Sequence, residues 1–70
     1  MTPAQIRVLV FLRRMYDAHD AQQQPGAIYR ACRVGPRTLA VLERKEWIWL
    51  WPEGWAITAR GLAAQMEATW

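Results

Sequence analysis

Four prolines, Pro3, Pro25, Pro36 and Pro52, constrain this chain more than any other feature. Proline fixes φ and lacks a backbone N–H, so no helix interior or central strand runs through these positions. The 70 residues are thereby divided into short stretches, each opening on a helix start or a turn. That length allows one compact domain, residues 1–70, and no second. A domain so small has difficulty building a core, and five Trp within a chain that is 53% hydrophobic help supply one. The same balance, with 21% charged residues, excludes a disordered tail.

The stretches read as helix, helix, helix, hairpin, helix. Thr2 caps the first helix, Pro3 takes its first position, and Gln5 completes a Thr-x-x-Gln capping box. Val8, Phe11, Leu12, Met15 and Tyr16 fall on one face of it, with Leu9 at the edge. Arg7, Arg13, Arg14 and Asp17 lie opposite, with Ile6 and Val10 among them. The helix fades at His19–Asp20, and Gln22-Gln23-Gln24-Pro25-Gly26 reads as a loop. A second helix over Ala27–Arg33 turns Ile28, Ala31 and Cys32 inward. Gly35 suits a turn or cap, and Pro36 opens a third helix running to about Lys45, with Leu39 and Leu42 inside. Trp47-Ile48-Trp49-Leu50-Trp51 and Trp55-Ala56-Ile57 read as strands joined by the turn Pro52-Glu53-Gly54. Alternation puts Ile48 and Leu50 on one face and Trp47, Trp49 and Trp51 on the other. Thr58 caps a last helix with Ala59, Leu62, Ala63, Met66 and Trp70 on its apolar side.

Several function classes fall away. One cysteine excludes a disulfide framework and a multi-cysteine metal site. Cys32 has no base or acid pattern around it and reads as a small buried side chain. His19, the single histidine, reads as a helix-end or partly buried imidazole. No GxSxG, Gly-rich phosphate loop or HExxH is present, and the longest apolar run, Val8–Leu12, is too short for a membrane span or signal-peptide core. The expectation is a cytoplasmic, cofactor-free protein that is not an enzyme, binds no small-molecule substrate and has no effector domain.

Charge is the informative remainder. Nine Lys+Arg against six Asp+Glu give +3, with an isoelectric point near 9.8. The excess is local, because residues 30–45 carry Arg30, Arg33, Arg37, Arg44 and Lys45 against Glu43 alone. Two helices joined by a Gly-containing turn, the second with an outward basic stripe, are the physical basis of major-groove recognition. Residues 27–64 resemble a winged helix-turn-helix domain of small bacterial and phage transcription regulators. The resemblance rests on Val34-Gly35-Pro36-Arg37-Thr38-Leu39 as a recognition-helix entry and on Leu42-Glu43-Arg44-Lys45-Glu46-Trp47-Ile48 as its exit into a wing. Trp55-Ala56-Ile57-Thr58-Ala59-Arg60-Gly61-Leu62 is similar to the second wing strand and the helix that follows.

This resemblance implies a mainly α fold with a small β-hairpin and a third helix seated in the major groove of duplex DNA. Arg37 and Arg44 would then reach guanine edges or phosphates, Thr38 a phosphate, and Val41 a thymine methyl. Lys45 belongs to the same stripe, Arg30 and Arg33 suit phosphate positioning, and Arg60 does so from the wing base. The wing tip departs from the pattern, since Glu53 is repelled by phosphate. Specific affinity from so small a module calls for a homodimer, through Ile6 and Val10 or through Met66 and Trp70. The alternative is a protein-interaction module that modulates a host protein through Trp49 and Trp51 or the Ile6–Val10 face.

Overall fold

The capping box forms as its residues dictate. In the computed structural model, which describes residues 1–69, helix α1 spans Pro3–Asp17. The Thr2 hydroxyl accepts the Gln5 N–H and the Gln5 side chain accepts the Thr2 N–H, each at 3.2 Å. Two of the donors left free at a helix start are thus satisfied. Helices α2 (Pro25–Cys32) and α3 (Pro36–Arg44) follow, then strands β1 (Ile48–Trp51) and β2 (Gly54–Ile57), then α4 (Ala59–Thr69). The order matches the sequence expectation of a mainly helical chain with one antiparallel hairpin. Helix α2 begins two residues before Ala27, because Pro25 sits in its first turn and not in the loop. Among the described residues no helix is long and apolar enough to cross a membrane.

All the other helices and β2 pack on α1. Val8, Leu9 and Leu12 expose no surface, and Ile28, Cys32, Leu39, Leu42, Ile48 and Ile57 close around them. Each fully buried aliphatic side chain contributes about 2 kcal/mol. Trp47 and Trp55 pack against this cluster, so two of the hairpin tryptophans do fill core.

Several inward assignments are corrected. Leu9 is central and not at the edge of the α1 face, whereas Tyr16 is 50% exposed because the last turn of α1 projects past the core. Arg13, Ile6 and Val10 are half-buried and not on a solvated face. Ala31 is exposed. Leu50, on the face of buried Ile48, is exposed, since β1 leaves the core after Ile48 while β2 stays largely buried. In α4 the buried residues are Gly61 and Gln65, while Ala59, Ala63 and Met66 face outward. The helix is rotated from its most apolar side because Gln65 accepts a 2.6 Å hydrogen bond from Arg13 on α1. Trp70 lies outside the described residues.

The first three helices close without glycine. His19 follows α1 at φ 61°, with Asp20 N–H donating to Met15 C=O and His19 N–H to Tyr16 C=O. Glu46 does the same after α3 at φ 62°, with Trp47 N–H on Leu42 C=O and Glu46 N–H on Glu43 C=O. Both are Schellman closures, in which a left-handed residue redirects the chain and satisfies the last carbonyls. Arg33, at φ 56° and ψ 51°, ends α2 with its N–H on Tyr29 C=O. The left-handed residue between α2 and α3 is therefore Arg33, and Gly35 is an extended N-cap at φ −115°.

The glutamine run is structural. Gln23 pairs antiparallel with Trp55 through two backbone hydrogen bonds of 2.9 and 2.8 Å, covering the edge of β2. Gln22 accepts the Glu53 N–H at 3.0 Å and Gln24 donates to the Glu53 carbonyl at 2.8 Å, so the run clamps the hairpin turn. Gly54, at φ 142°, allows this approach, since a Cβ there would overlap the Gln23 backbone. At the other end of the hairpin, the Thr58 hydroxyl accepts the Gly61 N–H at 3.0 Å and donates to the Glu46 carbonyl at 2.6 Å. Gly61 lets α4 meet the strand entry, because a Cβ would overlap the Trp47 carbonyl oxygen and lie 2.7 Å from Ile57 Cγ1.

Arg7 and Cys32 exchange hydrogen bonds between α1 and α2. Arg7 Nε donates to the Cys32 carbonyl at 2.9 Å, and Cys32 Sγ donates to the Arg7 carbonyl at 3.6 Å. Burial pushes the Cys32 thiol above its ordinary pKa, and the Arg7 charge opposes this in part.

This packing sets three expected outcomes. Gly61→Ala should lower unfolding free energy by about 3 kcal/mol, read by urea denaturation. Gly35→Ala, with nothing within 4 Å of the added methyl, should stay within about 1 kcal/mol. For Cys32 the raised folded pKa means that stability is intact below the unfolded thiol's pKa, about 8.5, and declines as pH rises through the folded value. Between pH 7.5 and pH 10 the natural chain should lose more stability than Cys32→Ala, which has no thiol to ionise.

Candidate nucleic-acid interface

The basic segment is presented by α2, a three-residue turn and α3. The Arg7–Cys32 exchange holds the end of α2 against α1. One residue later the left-handed Arg33 turns the chain, and extended Gly35 opens α3 by accepting the Thr38 N–H at 3.2 Å. Leu39 and Leu42 anchor α3 in the core, which fixes the face it turns to solvent. On that face Arg37, Ala40 and Arg44 are exposed, with Glu43 beside them. Thr38 and Val41 are half-buried at its margin. Gly35 has no side chain to cap α3; Pro36 has no N–H and Thr38 N–H is taken by the Gly35 carbonyl, so the Arg37 N–H is the first-turn donor left for an anion.

The other cations differ in how far they are engaged. Arg30 and Arg33 are exposed on α2 and at its end. Lys45 Nζ lies 5.0 Å from the centroid of the Trp47 ring, a cation–π contact that holds its stem along the hairpin entry. Among the described residues the ion pairs are Arg13–Asp17 at 3.9 Å and Arg60–Glu46 at 2.7 Å. Arg30, Arg33, Arg37, Arg44 and Lys45 thus form none. Arg60, by contrast, is already bonded at the base of the hairpin, although both partners of that pair are about two-thirds exposed. An exposed pair of this kind contributes at most about 1 kcal/mol and yields to a competing anion.

The partner-face candidates occupy other surfaces. Ile6 and Val10 line a shallow groove between α1 and α2 with Phe11, Arg14 and Ala31. Trp49 and Trp51 are 52% and 49% exposed on β1, and Met66 is 48% exposed on α4. Leu50, 52% exposed, joins the tryptophans in one apolar run, although alternation sets it on the face of buried Ile48. His19 is exposed past the end of α1, in a shallow depression with Tyr16, Asp17, Asp20 and Glu53. Among the described residues no three His, Cys, Asp or Glu side chains are grouped as metal ligands would be. Two features had no sequence signal: a single bridge at Gln23 produces no periodicity, and the Glu46–Arg60 pair depends on the close packing at Gly61. Set against protein-family models, curated proteins and solved structures, the chain matches none.

Proposed function

We propose that this chain is a winged helix-turn-helix protein that binds duplex DNA with α3 in the major groove, acting as a small transcription regulator. The observation that supports it is the five exposed cations Arg30, Arg33, Arg37, Arg44 and Lys45, free of ion pairs among the described residues. They lie on two consecutive helices and the ends that follow them. An α-helix with its side chains is about 10–12 Å across and fits a groove about 12 Å wide; the nine residues of α3 run about 13.5 Å along it. In this reading Arg37 and Arg44 reach base edges or phosphates, Arg30 and Arg33 hold the backbone, and exposed Ala40 permits close approach. Thr38 and Val41 contact DNA from the margin of the face, and Arg60 joins after exchanging Glu46 for phosphate. Glu53 keeps the hairpin turn away from the backbone.

A second reading, a module that binds another protein, draws on a different observation: Trp49, Leu50 and Trp51 are consecutive and each about half exposed. Fluorescence anisotropy with a labelled random duplex separates the two. Arg37→Ala combined with Arg44→Ala should weaken binding at least about tenfold and lower the slope of log affinity against log salt by roughly one to two. Arg14→Ala removes an exposed arginine of α1 and should change little. Unaltered binding by the double variant would exclude α3 as the recognition surface.

A further inference from the structure

Strand β1 is the open edge of the sheet. Its neighbour β2 is paired on both sides, by β1 and by the Gln23 bridge. Two sets of hydrogen bonds determine which β1 groups face outward. Trp55 exchanges its backbone hydrogen bonds with Gln23, so it makes none with Leu50, its β1 partner in register. Thr58 N–H donates to the Trp47 carbonyl at 3.0 Å, which continues the ladder on the opposite parity. In an antiparallel pair alternate residues carry the bonds. Trp47, Trp49 and Trp51 therefore bond inward, and the N–H and C=O of Ile48 and Leu50 point away from β2. Ile48 has no exposed surface. Leu50 is left as the β1 residue whose outward donor and acceptor meet solvent, with an exposed tryptophan on each side.

We propose that this edge pairs antiparallel with β1 of a second copy, about a two-fold axis at Leu50. An isologous contact requires a surface complementary to itself, and this one is. Leu50 of each copy gives its N–H to the Leu50 carbonyl of the other. Trp49 of each copy then stands opposite Trp51 of the other, at sites without inter-strand hydrogen bonds, where side chains approach most closely. The next position brings Pro52, which has no N–H, beside Ile48, whose outward groups its own chain already covers, so the contact asks no backbone bond of this pair. One step further, Glu53 of each copy meets Trp47 of the other, whose ring carries Lys45. The acidic turn, unfavourable beside phosphate, becomes favourable beside that ammonium. Charge complementarity at both ends selects a second copy over an unrelated strand.

Pairing joins the two hairpins into one four-stranded sheet and covers an apolar edge that otherwise invites uncontrolled association. Few residues take part, so the dimer belongs with small, reversible interfaces. The pairing stands whether or not the arginines bind DNA.

Sedimentation equilibrium of the full chain over a range of concentrations tests it, and a reversible monomer–dimer equilibrium is expected. Leu50→Pro removes the outward N–H and leaves the inward bonds of Trp49 and Trp51 intact. It should weaken dimerisation at least about tenfold with an unchanged circular dichroism spectrum. Lys45→Glu and Glu53→Lys should each weaken it by about fivefold, and the double exchange should restore it. If Leu50→Pro does not fold, the charge exchange decides. A chain monomeric at every concentration would overturn the proposal. So would a dimer unaffected by Leu50→Pro, or charge variants that fail to rescue one another.

Discussion

Burial of the α1 stripe, Val8, Leu9 and Leu12, is the interaction on which the remaining structure depends. A chain of this size has surface enough for little else. The three side chains are fully buried, and α2, α3, α4 and β2 all pack on the helix that carries them. An isolated helix of this length is marginal in water, so α1 and its covering elements must form together. The capping box at Thr2 and Gln5 and the closure at His19 lower the cost of starting and stopping it. The orientation of the basic segment is a consequence of the same stripe. Ile28 and Cys32 on α2, with Leu39 and Leu42 on α3, close on it and so decide which arginines are left outside.

Much of this architecture was legible in the residues. Pro3 and Pro36 at the first turns of their helices, the Thr2–Gln5 box and the Pro-Glu-Gly turn are local chemistry, and local chemistry is readable from neighbours in sequence, although Pro25, read as loop, opens α2. Which face of a helix is buried is a tertiary property. Leu9 became central and Tyr16 exposed because the packing elements lie over the middle of α1 and not over its end. In α4, apolar content pointed to Ala59, Leu62, Ala63 and Met66, yet the buried positions are Gly61 and Gln65. There, close backbone approach and a hydrogen bond from Arg13 outweigh side-chain hydrophobicity. Alternation placed Leu50 on the same face as Ile48, yet Ile48 is buried and Leu50 exposed, because periodicity does not record where β1 departs from its support.

The candidate site divides along the same line. A basic excess between residues 30 and 45 is visible by counting, and the inward placement of Leu39 and Leu42 follows from spacing alone. Counting cannot separate an available cation from one already engaged. Arg7 donates to the Cys32 carbonyl, Arg13 to Gln65, and Arg60 to Glu46. Those partners are between 14 and 52 residues away in sequence. The five cations of α2, α3 and their ends keep their charge unpaired among the described residues: Glu46 is bonded to Arg60, and Glu43 beside them lies in no ion pair. Trp49 and Trp51 were readable as a partner face, whereas the exposure of Leu50 between them was not, since it reflects where β1 leaves the core and not residue type.

The left-handed residues at the three helix ends have a consequence for how far this protein sits from its stability optimum. Glycine adopts that conformation freely, whereas any other residue pays about 1 kcal/mol for it. All four glycines lie elsewhere. Replacing His19, Arg33 and Glu46 by glycine is therefore a route to a more relaxed backbone, and the routes are unequal. At His19 the side chain is exposed and in no ion pair, so relaxation there is available without loss of charge pairing. At Glu46 it removes the carboxylate that holds Arg60, and at Arg33 it removes a cation from the basic segment. In those two places backbone ease and surface charge compete for a single position, and the chain has kept the charge.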